Sequence, residues 1–436
     1  MDFRWNKWIT PVGMILLLSA ISCATRDSNK TNSTDQKVAE LLTQMTLEEK
    51  VGQMAQINLT VLAKGPDRFN SIEPLQLDEE RLAKAIDTYH VGSVLNTTNN
   101  RARTPEVWNT TINELQNRAA NTRLGIPIIY GLDGIHGATY VAGATMFPQQ
   151  ISVAATWNPK HAYEMARITA YDTKASSIPW NFSPVLDLGL ESRFPRQFET
   201  FGEDPYLATV MGQQAILGYQ GPENDISTPY TLAACMKHFL GYQITRTGKD
   251  RTPAFISEHE LREIHLPSFE RAIKSGAKTI MINSGLINSL PVHANKYLLT
   301  TLLREELGFE GVILTDWEDI NKLHDRDKVA ASRKEAVKMA INAGIDMSMI
   351  PYDYEEFCDN LVALVKEGAV SQERIDDAVT KILRLKFDLN LFKKATSSPE
   401  DYPDFGNTKH EQLAYNAAAD GITLLKNKKG ILPFKK

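Results

Sequence analysis

Short apolar runs alternate with longer amphipathic stretches through most of this chain, and the two periods separate cleanly. Runs over residues 92–96, 127–132, 181–186, 232–237, 279–283, 312–315 and 345–349 are too short for helices and read as strands covered on both faces. The stretches between them carry helix-start signals: Thr46-Leu-Glu-Glu49 and Ser257-Glu-His-Glu260 have capping-box spacing, and Asn158-Pro159 opens an amphipathic run. A regular βα alternation predicts a parallel sheet. Seven or eight units over some 300 residues favour closure into a (β/α)8 TIM-like barrel, and no Gly-x-Gly-x-x-Gly turn follows any strand to support a dinucleotide fold. The expected fold class is therefore α/β, with the barrel over residues 38–395.

The ends of the chain follow other patterns. Arg4 and Lys7 precede the apolar stretch Val12 to Ile21, which is too short for a membrane span and suits a signal peptide over residues 1–22. It stops at Ala20-Ile-Ser-Cys23, where a small-residue cleavage site belongs, so Cys23 is expected to be a lipidated first residue of the mature chain. Export and attachment to a bacterial membrane through that lipid alone follow from this reading. The Ser, Thr, Asn and Asp residues up to Lys37 have no apolar period and read as a flexible tether over residues 23–37. At the other end the helix Ser371 to Phe387 leads into a Pro-rich linker, Thr396 to Gly406, and a last helix near Gln412 to Asp420. Residues 396–436 read as that linker and the start of a further domain.

Composition adds limits. With 436 residues, 42% of them hydrophobic, the chain exceeds the roughly 250 residues of a lone barrel, in keeping with extra structure at its ends. A formal net charge of -5 gives no basic footprint for nucleic acid. Cys235 lies in an apolar strand and Cys358 on a helix, so both read as small buried hydrophobes. No Cys/His spacing points to a metal, and no cofactor is implied.

Candidate chemistry clusters where strands end. The run Val312-Ile-Leu314 leads directly to Thr315, Asp316 and Trp317, and an acidic residue at the carboxyl end of a buried strand is where an α/β barrel displays its chemistry. Asp133 follows the strand ending at Leu132, among glycines; Lys237 and His238 end another strand; Arg196 sits in a loop with Arg193 and Glu199. A pyranose offers hydroxyls and an apolar face. Its site needs carboxylates to accept, Lys, Arg and His to donate, and an aromatic such as Trp317 against the ring. Each residue taken alone has an ordinary explanation: Asp316 caps a helix, Arg196 pairs with Glu199 on the surface, Lys237 is a solvated strand end, Trp317 is core.

Taken together, four motifs in order resemble the glycoside hydrolase family 3 N-terminal domain, the group of β-glucosidases and related exo-acting β-glycosidases. They are GLDGIHG at Gly131 to Gly137, SRFPRQFETFGEDP at Ser192 to Pro205, KHFLG at Lys237 to Gly241 and GVILTDW at Gly311 to Trp317. The resemblance runs from about Val38 to the last residue. It implies a retaining mechanism with Asp316 as nucleophile, sugar contacts from Asp133, Arg196, Lys237 and His238, an aromatic beside the nucleophile at Trp317, and an oligosaccharide as the partner.

The chain also departs from the family's pattern. Where many members place a tyrosine against the nucleophile, this sequence has Ser284. Where the branch acting on N-acetylglucosamine has a catalytic histidine, it has Tyr242, which ranks the β-N-acetylhexosaminidase reading below the β-glucosidase one. The insertion Gly248-Lys-Asp-Arg-Thr-Pro253 resembles members that break down plant polysaccharides. The Leu-Leu-Lys-Asn wording at Leu424 to Asn427 resembles the opening of the family's second domain, which commonly supplies the acid/base glutamate. Within the chain, Glu258, Glu318 and Asp319 are the candidates for that second carboxyl, each also explained as helix-start electrostatics. A barrel that binds carbohydrate without turnover is the alternative.

Overall fold

The computed structural model describes residues 34–434. Cys23 and the signal stretch before it lie outside the described residues. Residues 34–44 form a helix, so the last residues of the expected tether are helical. The signal was present in the spacing of Val38, Leu41, Leu42 and Met45, with Val38 and Met45 buried.

From Thr46 onward the chain builds a barrel. Its strands are β1 (Ala55–Asn58), β2 (Ser93–Leu95), β3 (Ile129–Leu132), β4 (Trp180–Asn181), β5 (Ala233–Phe239), β6 (Thr279–Ile282), β7 (Val312–Leu314) and β8 (Ser348–Met349). Each pairs in parallel with its sequence neighbour through to β7, and β1 pairs with β8. A parallel bridge between Leu314 and Met347 closes the ring, with the Thr315 amide donating to the Met347 carbonyl at 3.1 Å. Every residue of these strands is buried, as expected of a parallel sheet wrapped by helices.

Most expected strands are present. The run 181–186 is a strand only at its start, and Val185 rejoins through a single bridge to Lys237. Strand β1 was not expected, because Gln56 and Asn58 break any apolar run there. Gln56 is nonetheless fully buried, because its Nε2 donates to Ser93 Oγ on β2 at 2.8 Å.

Helix entries follow local chemistry. Thr46 and Glu49 complete a reciprocal capping box, and Ser257 accepts from the Glu260 amide. Pro159 and Pro205 stand at helix starts behind Asn158 and Asp204, whose side chains accept from the amides of Lys160 and Leu207. Cys235 and Cys358 are both buried and free.

The Pro-rich stretch expected as a linker packs instead. Tyr402 is buried, donates through its hydroxyl to the Pro229 carbonyl at 2.6 Å and stands edge-on to Tyr171, with ring centroids 5.1 Å apart. The last helix starts at Thr408, earlier than the apolar period suggested, because Asn407 caps it through the His410 amide at 2.9 Å.

One buried charge position gives a stability prediction. Lys386 is fully buried on the helix Gln372–Asp388 and donates to Gln53 Oε1 at 2.5 Å. Burial lowers its amine from 10.5 to about 7. The unfolded chain therefore binds a proton that the folded chain does not hold across the window from about 7 to 10.5, and stability rises with pH through it. Lys386→Met is expected to stabilise the protein at neutral pH by about 1–4 kcal/mol, less whatever is lost at Gln53, and to flatten that rise. Urea denaturation of both forms across the window is the measurement; an unchanged slope would contradict it.

Candidate active site

The residues that end the barrel strands meet through side-chain contacts made across the chain. Asp133 directly follows β3, and Lys237 lies near the end of β5, where register with β6 shifts between Met236 and Phe239. Lys237 Nζ donates to Asp133 Oδ1 at 2.6 Å; the lysine is 2% exposed and the aspartate 30%. A buried cation held by a partly open carboxylate presents a donor and an acceptor side by side, the arrangement a pair of sugar hydroxyls requires.

His238 faces a second set of partners. Its Nδ1 lies 2.7 Å from Asp187 Oδ2, which also accepts from the His238 amide at 3.2 Å. Its Nε2 lies 3.2 Å from Arg196 Nη2. A guanidinium only donates, so Nε2 accepts and Nδ1 carries the ring proton. Burial, with the Arg196 and Lys237 cations, pushes the His238 imidazole well below its usual range and keeps it neutral. Arg196 does pair with Glu199, at 2.9 and 2.7 Å, and it is oriented further by the Tyr242 hydroxyl at 3.5 Å. Tyr242 in turn donates to Asp250.

Asp316 stands two residues beyond β7 and is buried. The Trp317 amide donates to its Oδ1 at 2.6 Å, while Ser284 Oγ lies 2.8 Å and Arg251 Nη2 3.4 Å from its Oδ2. Burial pushes this carboxyl up, but Arg251, Arg196 and the Trp317 amide outweigh it and hold the group well below the usual carboxylate range. His238 is neutral and adds no charge of its own. The cation nearest Asp316 is thus Arg251, and Lys237 is committed to Asp133. Arg251 lies in the Gly248 to Pro253 insertion and holds a left-handed backbone (φ 58). Such a conformation costs roughly 1–3 kcal/mol and is typically kept where a side chain must be aimed.

Ser284 therefore makes the contact that its serine-for-tyrosine departure had put in question. Trp317 is half-buried beside Asp316 and packs edge-on to Tyr352 at 5.7 Å between centroids. Of the three candidates for a second carboxyl, Glu258 is exposed and engaged with Arg262 and Tyr297. Asp319 is buried behind Ser284, with Lys322 Nζ 3.2 Å from its Oδ1. Glu318 holds a left-handed backbone (φ 58) at the head of the helix Asp319–Asp325.

Sequence reasoning overlooked Asp187, Glu199 as an orienting partner, Asp250 and Arg251. Asp187 directly follows the run 181–186 and could have been found by the rule that singled out Asp316. Arg251 had no local signal beyond lying in an insertion.

Known proteins match most of this chain. A family model described as the glycosyl hydrolase family 3 N terminal domain matches residues 46–385. The chain is 42% identical over 419 residues to a lysosomal beta glucosidase of Dictyostelium discoideum, covering 93% of this chain and 50% of that protein. It is 29% identical to a periplasmic beta-glucosidase of Salmonella typhimurium, covering 99% and 53%. Among solved structures, an exo-1,3/1,4-beta-glucanase from a Pseudoalteromonas species superposes with a TM-score of 0.80 at 31% identity, over 92% of this chain and 49% of that one. The chain spans about half the length of the curated relatives it matches.

Proposed function

The chain belongs to glycosyl hydrolase family 3 through that family's N-terminal domain, and on this premise we propose that it is the barrel of a retaining, exo-acting β-glucosidase. It removes terminal non-reducing β-D-glucosyl residues from oligosaccharides. The observation that carries the proposal is Asp316: an anionic carboxylate at a barrel strand end, held by Ser284, Arg251 and the Trp317 amide. Asp316 attacks the anomeric carbon, the glycosidic C–O bond breaks, and its electron pair leaves on the aglycone oxygen. Asp133, Lys237, His238 and Arg196 grip the sugar hydroxyls, and Trp317 lies against the ring. Lipidation at Cys23 holds the protein to the exported face of a bacterial membrane.

A retaining glycosidase also needs a carboxyl group to protonate the leaving oxygen and later activate water. Among the described residues, several carboxylates at or after the strand ends already hold partners: Asp133 with Lys237, Asp187 with His238, Asp250 with Tyr242, Asp319 with Ser284 and Lys322. This chain is accordingly expected to take sugar from a dinitrophenyl β-glucoside, whose leaving group needs no proton, and to leave cellobiose nearly untouched. The covalent glucosyl-enzyme should accumulate, and azide, which needs no base, should release it as the β-glucosyl azide. Intact-protein mass spectrometry with peptide mapping reads the adduct. Efficient cellobiose turnover would show that the barrel holds its own acid, with Glu258 and Glu318 the first residues to mutate. Binding with no adduct would favour the reading of a barrel that holds carbohydrate without turning it over.

A further inference from the structure

Ser284 Oγ touches two carboxylates, and a hydroxyl has one proton. It lies 2.8 Å from Asp316 Oδ2 and is also in hydrogen-bond contact with Asp319 Oδ2. Asp319 is 1% exposed, too deep to meet a sugar. Its other oxygen, Oδ1, faces Lys322 Nζ at 3.2 Å, and His293 Nε2 stands 3.6 Å from Oδ2, beyond donating distance. Each carboxylate therefore has its own cation, Arg251 for Asp316 and Lys322 for Asp319, and the two compete for a single hydroxyl proton.

This competition bears on the chemistry. A hydrogen bond donated to Asp316 stabilises its anion in the ground state. As Asp316 forms its bond to the anomeric carbon, the carboxylate becomes an ester and that stabilisation fades. Stabilisation present before the transition state and absent in it slows a reaction. A second anionic acceptor removes the difficulty, because the Ser284 proton turns to Asp319 as the charge on Asp316 disappears. No proton changes owner; only the O–H direction changes.

We propose that Asp319 is a positioning residue for the nucleophile, acting through Ser284 by accepting its hydroxyl proton while Asp316 is esterified. The proposal rests on Asp316 being the nucleophile. It also explains how serine serves at a position where the family resemblance led to the expectation of tyrosine: the short side chain reaches both carboxylates at once.

The test is a double-mutant cycle on the rate of covalent labelling by 2,4-dinitrophenyl 2-deoxy-2-fluoro-β-D-glucoside, a probe that needs neither acid nor base. In Asp319→Asn the neutral amide is a weaker acceptor or itself a donor, so the hydroxyl is committed to Asp316. The maximal labelling rate should fall by about tenfold or more, the scale of one charge-assisted hydrogen bond, with the probe's half-saturation concentration unchanged. In a Ser284→Ala background, Asp319→Asn should change nothing, and Ser284→Thr should restore the dependence. Asp319→Leu runs the same cycle if the asparagine variant does not fold. An equal cost in both backgrounds, the signature of through-space charge or general damage, would overturn the proposal, as would no cost beside Ser284. No labelling of the wild-type protein would instead sink the nucleophile assignment, and this inference with it.

Discussion

Asp316→Asn is expected to reduce covalent capture of glucose by about four orders of magnitude or more, while leaving sugar affinity within a fewfold of wild type. The carboxamide keeps the shape of the side chain and an acceptor for the Trp317 amide, but it has no anionic oxygen with which to attack. That loss corresponds to at least about 5.5 kcal/mol of transition-state stabilisation. The pairs Lys237–Asp133 and Arg196–His238, proposed to grip the sugar hydroxyls, do not depend on position 316 for their geometry. Labelling by a dinitrophenyl β-glucoside, followed by mass, measures the first effect; calorimetry with an S-linked cellobiose analogue measures the second. Near-wild-type labelling by the variant would remove Asp316 from the mechanism. A parallel collapse of affinity would instead show that the substitution disturbs the pocket as a whole.

Lys237→Met should act the other way, on binding first. Lys237 is buried, and the one hydrogen bond its amine makes among the described residues goes to Asp133. Removing it strips the sugar of a charged donor and frees Asp133 from its fixed position. A hydrogen bond to a charged group contributes roughly 1.5–3 kcal/mol, so affinity for the S-linked disaccharide should fall roughly 10- to 150-fold. The variant also leaves a carboxylate without its cation. Because Asp133 is 30% exposed, water compensates part of that loss, and the fold should survive with a modest drop in thermal midpoint. Unchanged affinity would show that the Lys237–Asp133 pair is structural and that sugar recognition lies elsewhere.

The contrast between these two residues shows how far the sequence could be read. Asp316 was legible because an apolar strand, Val312 to Leu314, leads straight to it, and barrel topology places such a residue at the mouth. Lys237 was legible as a site residue for the same reason, but its partner was not. The structure gives it to Asp133, 104 positions away. Arg251, which does face Asp316, comes from an insertion with no strand or helix of its own to announce it, 65 positions before its partner. The strand Ala55–Asn58 was missed for a related reason: Gln56 sits inside the barrel with its amide nitrogen donating to Ser93, on the next strand.

By itself, then, the order of residues determined what short-range forces control: the strand and helix alternation, the caps at Thr46, Asn158 and Ser257, and which polar residues stand at strand ends. Tertiary structure decided the pairings: Lys237 with Asp133, Arg251 with Asp316, and one Ser284 hydroxyl between Asp316 and Asp319. The physical reason is range. Periodicity and capping act over a few residues and leave a trace in every window of the chain. A charge finds its partner only after closure of the barrel brings loops from separate strands within about 3 Å, the distance at which hydrogen bonds form.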